Sequence, residues 1–139
     1  MSLDGRDEVQ VSETEVVEPA VSPDGKLAAY FFRANAEEPY RLALMSTDNG
    51  KVLKTLNLTE DKPMPVCIAW ESDNRNLFYI TLRSSHSLWR QSVDNDRPHL
   101  IADLGNEEIN DFAISPDGNY IGLIRGKWVL GAVLIEGLR

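Results

Sequence analysis

One turn, met three times, constrains this chain more than anything else in it. Ala20-Val21-Ser22-Pro23-Asp24-Gly25 returns as Ala113-Ile114-Ser115-Pro116-Asp117-Gly118, and a decayed copy, Ala69-Trp70-Glu71-Ser72-Asp73-Asn74, lies between them. The spacing is a repeat of roughly 40–50 residues built from short strands, which is the period of a β-propeller blade. Local chemistry accounts for the turn. Ser22 bonds nearby backbone, Pro23 fixes φ at about −65°, Asp24 suits the third position, and Gly25 supplies the positive φ that closes a bulged hairpin. In the middle copy Asn74 stands for glycine, as the next most tolerant residue of the left-handed region. The missing proline is expected to loosen that turn.

The strands after the turns fit the same architecture. Leu27–Phe32, Leu77–Leu82 and Tyr120–Ile124 are apolar almost throughout rather than alternating, as strands covered on both faces must be. Blades that stack face to face cover their inner strands twice. Third strands are expected at Tyr40–Met45 and Ser87–Ser92, ending in the polar turns Thr47-Asp48-Asn49-Gly50 and Val93-Asp94-Asn95-Asp96. Outer strands come next, near Val52–Leu56 and Pro98–Ile101, where proline is tolerated because the strand is an edge. The fold class is therefore all-β, with four-stranded antiparallel blades. The chain divides into an acidic N-terminal segment (1–17), blade 1 (18–60), blade 2 (61–104) and a truncated blade 3 (105–139).

The third unit has a tight Arg125-Gly126-Lys127 turn, then the strand Trp128–Ile135, and no fourth strand. Glu8–Ser12 alternates polar and apolar and is the expected substitute. About three blades do not close a ring, since propellers typically have four to eight. The chain is thus expected to be a piece of a longer propeller, or to dimerise into a six-bladed ring.

Composition narrows the partners. The net charge is −8, and no lysine–arginine cluster of the kind that binds phosphate backbones is present, so nucleic acid is an unexpected partner. No apolar run approaches the roughly 20 residues that cross a bilayer as a helix. The single cysteine, Cys67, sits in the apolar run Val66–Ala69 and reads as a small buried hydrophobe.

A catalytic signature is missing. There is no G-x-S-x-G nucleophile elbow, and neither His86 nor His99 has a second ligand at zinc spacing. The acidic turns offer oxygen atoms to calcium but lack the bidentate glutamate and fixed spacing of an EF-hand. They read as hairpin turns, and no cofactor or metal is expected. The tryptophans, tyrosines and phenylalanines on strands read as blade-to-blade core. A binding face belongs on loops carried by the rigid scaffold. The longest is Arg33–Pro39 before Tyr40, and its counterpart in the next blade is Ser84–Ser87. Glu37, Tyr40 and a surface-exposed His86 are the candidate binding residues.

The Ser-Pro-Asp-Gly turns, in register over roughly residues 18–135, resemble the WD40-like repeats of TolB-type propellers. The final unit resembles the last blade of bacterial regulators and kinases with TolB-like tails. The resemblance implies a non-catalytic sensory or interaction module of a larger bacterial protein, binding a protein or peptide on its rim. TolB being periplasmic, it leans towards a location outside the cytoplasm. Prolyl-oligopeptidase-type hydrolases carry a similar propeller as a gate, which supplies the alternative reading: an accessory gating domain whose catalytic partner is absent from this sequence.

Overall fold

Each apolar run pairs with the next through a short polar turn, so the chain folds as successive hairpins. The computed structural model describes residues 15–59, 61–126 and 131–136. In the first sheet β1 (Glu15–Val21), β2 (Leu27–Arg33), β3 (Arg41–Ser46) and β4 (Val52–Asn57) are hydrogen-bonded in chain order. The second holds β5 (Met64–Trp70), β6 (Asn76–Leu82), β7 (His86–Ser92) and β8 (His99–Gly105) in the same order. The third has β9 (Ile109–Ile114), β10 (Tyr120–Arg125) and β11 (Gly131–Glu136). All neighbouring pairs are antiparallel. These are blades of a partial propeller. The expected strand Glu8–Ser12, Lys127 of the last turn and the aromatic Trp128 lie outside the described residues.

Alternation along the central strands shows why they are apolar on both faces. Ala29, Phe31, Leu42, Leu44 and Leu56 of blade 1 pack against Trp70, Leu77, Tyr79 and Trp89 of blade 2. Phe78, Ile80, Cys67, Leu88 and Leu104, on the other face of blade 2, pack against Ile109, Phe112, Ile121 and Leu123 of blade 3. One strand, β6, thus feeds two interfaces from successive residues, as the two-residue period of a strand dictates. Full burial of a large apolar side chain contributes about 1.5–3 kcal/mol. The rings of Phe31 and Tyr79 meet edge to face, with centroids 5.5 Å apart.

The first strands lie side by side, β1 against β5 and β5 against β9. Each pairs with its neighbour through a register shift, between Val17 and Ala20 in β1 and between Pro65 and Cys67 in β5. In β1 the shift coincides with Glu18 at φ 52°. Such bulges add the local twist that inner strands need.

The recurring turns line up at one end of the stack. In the outer two, Gly25 and Gly118 stand at φ 75° and 72°, and each glycine N–H donates to the first serine carbonyl at 2.8 Å. Asp24 Oδ1 accepts from the Ser22 hydroxyl (2.7 Å) and the Lys26 N–H (3.0 Å), and Asp117 does the same with Ser115 and Asn119. Those bonds hold both carboxyls below the usual aspartate range.

The middle turn's own closing bond, from the Asn74 N–H to the Glu71 carbonyl, is 3.3 Å against 2.8 Å in the other two, and neighbouring blades hold the turn in place. Asn74 holds the left-handed position at φ 59°, and its Oδ1 accepts the Asp24 N–H of blade 1 at 2.8 Å. Ser72, in place of proline, donates its hydroxyl to the Pro116 carbonyl of blade 3 at 2.7 Å. Two of this turn's three departures from the repeat, Ser72 and Asn74, are the side chains that tie the three turns together. Restoring the repeat with Ser72→Pro and Asn74→Gly should therefore lower stability by about 1 kcal/mol, the gain from a stiffer turn being smaller than the loss of two bonds. Urea denaturation of the double variant checks this.

Blades 1 and 2 are also joined at the outside, where Lys54 Nζ of β4 meets Asp96 at 2.7 Å in the β7–β8 turn. The acidic hairpin turns thus carry ordinary turn and ion-pair chemistry. Cys67 is buried, and desolvation pushes its thiol up to about 12. The native protein should accordingly leave a thiol-disulfide reagent unreacted at neutral pH, with full reaction only in denaturant.

Candidate functional site

Antiparallel order assigns the loops to two ends. The three Ser/Asp turns share one end with the β3–β4 and β7–β8 turns. The opposite end, the rim, carries the β2–β3 loop, the β4–β5 connector and the β6–β7 loop. Two of the three sequence candidates, Glu37 and Tyr40, lie on that rim or just beneath it.

The β2–β3 loop is shaped by Asn35, whose Oδ1 accepts the N–H groups of Glu37 (2.9 Å) and Glu38 (3.2 Å). That local bonding turns the loop outward and leaves Glu37 and Glu38 exposed. Tyr40 is buried beneath it, a correction to its expected place on the surface. Its hydroxyl donates to Glu15 Oε1. Arg33, at the end of β2, grips the same carboxylate with Nε (2.8 Å) and Nη2 (3.1 Å). The Arg33 guanidinium also lies over the Tyr40 ring, 4.5 Å from its centroid. Arg33 and the Tyr40 hydroxyl hold the Glu15 carboxyl below its usual range, while burial pushes the Tyr40 phenol up.

Across from this cluster, the β4–β5 connector reaches back to the loop. Lys62 Nζ donates to the Glu37 carbonyl at 3.1 Å, and Asp61 pairs loosely with Arg83, after β6, at 3.7 Å. Between loop and connector lies a shallow pocket of about 70 Å³, walled by Arg33, Ala36, Pro39, Tyr40, Pro63 and Met64. Met64 is an exposed apolar side chain at its mouth. The lining is mixed: Pro39, Pro63 and Met64 are apolar, and Arg33, Glu38 and Lys62 bring charged groups of both signs. Sequence reasoning missed Glu15, Arg33, Lys62 and Met64: the first two meet as register partners of β1 and β2, and the other two are brought to them by the β4–β5 connector and the start of β5.

His86 is the second correction. It opens β7 rather than standing in a surface loop, is buried, and its Nδ1 lies 3.2 Å from the Gly105 carbonyl. Its register partners are Leu82 and Gly105. The structure therefore makes it a brace between β7 and β8 and does not bring it to the pocket.

Comparison with known proteins agrees with the architecture. Residues 10–123 match the family model of the prolyl oligopeptidase N-terminal β-propeller domain. No curated protein matches the chain. TolB from Acinetobacter baumannii is similar in structure, with a TM-score of 0.67 at 14% identity over 96% of this chain and 33% of that one. TolB from Agrobacterium tumefaciens gives 0.66 at 19% identity over 92% and 48%. Hydrazine synthase from Kuenenia stuttgartiensis gives 0.61 at 16% identity over 84% and 37%. The chain thus spans a third to a half of the length of these structures, and the likeness to them is one of fold.

Proposed function

This chain belongs to the prolyl oligopeptidase N-terminal β-propeller domain family, and on that premise we propose that it is a non-catalytic module that binds an extended protein or peptide segment on its rim. The observation that carries this reading is the pocket between the β2–β3 loop and the β4–β5 connector. Its walls are fixed in advance by the bonds among Glu15, Arg33 and Tyr40, so little ordering cost falls on binding. Pro39, Pro63 and Met64 offer apolar walls, and the two cations in the lining are already engaged, Arg33 by Glu15 and Lys62 by the Glu37 carbonyl. Glu37 and Glu38 present carboxylates beside the pocket, on a chain of net charge −8. The partner chemistry that fits is an apolar side chain next to lysine or arginine, with recognition by shape and charge and no bond made or broken.

Fluorescence anisotropy with labelled peptides tests this. Apolar–basic peptides should bind and weaken with salt, apolar–acidic ones should not, and Glu37→Lys with Glu38→Lys should cost about five- to tenfold in affinity. Equal binding of both peptide classes would overturn the reading. The family match favours one further reading, an accessory domain that gates a serine hydrolase. A hydrolase domain encoded in the same gene would support it. Pairing of two copies, which the partial ring invites, would use the blade faces at the ends of the stack and leave this rim free.

A further inference from the structure

Two consecutive residues of the β4–β5 connector reach in opposite directions across the rim. Lys62 Nζ bonds the Glu37 carbonyl of the β2–β3 loop, and Asp61 faces the Arg83 guanidinium of the β6–β7 loop. The Cα atoms of neighbouring residues are about 3.8 Å apart, so the two loops lie within two side-chain lengths of one point. An extended chain rising about 3.3 Å per residue crosses that span in about five residues. The loops differ in charge. Glu37 and Glu38 are exposed on the blade 1 loop, and among the described residues no ion pair engages either carboxylate. The blade 2 loop carries Arg83, whose side chain is 57% exposed. Its counter-ion is loose, since Asp61 stands 3.7 Å away and is itself 79% exposed. The loop is held in place from below. Ser85 donates its hydroxyl to Asp103 of β8 at 3.1 Å, and Asp103 also accepts the Gly105 N–H.

We propose that the rim is dipolar and selects an extended peptide segment with a basic residue at one end and an acidic residue about five positions away. The inference rests on the pocket reading above and adds the second charge and the loop that receives it. The partner's cation meets Glu37 and Glu38, its apolar side chain enters the pocket, and its carboxylate meets Arg83 of blade 2. At 3.7 Å Asp61 is too far to hydrogen-bond the guanidinium, whose fork of N–H donors suits a closer carboxylate. Both members of the Asp61–Arg83 pair are solvated, so admitting a second carboxylate there costs little. The blade 1 loop and the blade 2 loop thus present opposite signs to one extended chain, and complementary charge fixes which end lies over which blade.

Anisotropy with three labelled peptides that share one lysine and one apolar anchor tests this on the whole chain. The parent carries glutamine about five residues from the lysine. The second carries glutamate there, and the third carries glutamate next to the lysine. On the native chain the second should bind about threefold tighter than the parent, and the third should show no gain. That ratio of second to parent should fall to one on Arg83→Gln and below one on Arg83→Glu. It should rise on Asp61→Asn, which frees the guanidinium, and fall towards one in high salt. Asp61 and Arg83 are exposed, so the variants should keep the native circular dichroism. Equal binding of the parent and the second peptide on the native chain would overturn the dipolar rim and leave the pocket reading standing. A gain that survives Arg83→Gln would do the same. Failure of the parent to bind at all would overturn the pocket reading, and this inference with it.

Discussion

Phe31→Ala should cost about 3–5 kcal/mol of folding stability, the range for removing a buried aromatic ring. Phe31 is fully buried in the middle of the blade 1–blade 2 interface, where it touches Tyr79 and sits among Leu42, Leu44 and Trp70. The cavity would have to be lined by side chains from two sheets. Neither sheet can collapse into it alone, because each is held in register by its own ladder. Packing between blades, and not hydrogen bonding within them, is what makes the stack one cooperative unit. Chemical denaturation gives the size of the loss. A cost under about 1 kcal/mol would mean that the blades fold independently of their interface.

Glu71→Ala is the second large effect, expected at about 2–4 kcal/mol. Glu71 stands where the other two turns have serine, and only 1% of it is exposed. Its Oε2 accepts from Arg90 Nε at 3.0 Å and Nη2 at 2.8 Å, so a turn at the end of β5 is fastened to β7 across β6. The guanidinium in turn lies over the Phe78 ring. Removing the carboxylate leaves Arg90 without its buried counter-charge. Arg90 keeps a partly exposed side chain that water can reach, which holds the cost below that of a fully enclosed pair. Glu71→Ser, which installs the residue of the other turns, should restore part of the loss through the turn and none of it through the ion pair. The urea midpoints of the two variants separate the contributions.

The sequence carried the blade architecture because the turn, the covered strand and the edge strand each have local chemical requirements. Ser22, Pro23, Asp24 and Gly25 announce a turn whatever surrounds them, and β2, β6 and β10 were readable as apolar runs for the same reason. The inner strand β1 was harder to see. Glu18 and Pro19 interrupt Glu15–Val21, and the bulge that accommodates them is set by pairing with β2, which is not a local property. The middle turn misled in an instructive way. Ser72 and Asn74 look like decay when each turn is judged alone, yet their partners lie 44 and 50 residues away on neighbouring blades. The rim obeyed the same rule. Glu37 was legible as an exposed loop charge. Tyr40 and His86 were not: Tyr40 packs into the core between blades 1 and 2 and bonds Glu15, and His86 faces Gly105 of β8, contacts that strand order sets.

The most direct test of the binding account is an amide-resolved NMR titration of the isotope-labelled chain with an apolar–basic peptide. The account predicts chemical-shift changes concentrated at residues 33–40 and 61–64, absent in a Met64→Asp variant that keeps the native spectrum elsewhere. Saturable changes confined to the Ser/Asp turns or to the outer strands, with the rim unmoved, would contradict it.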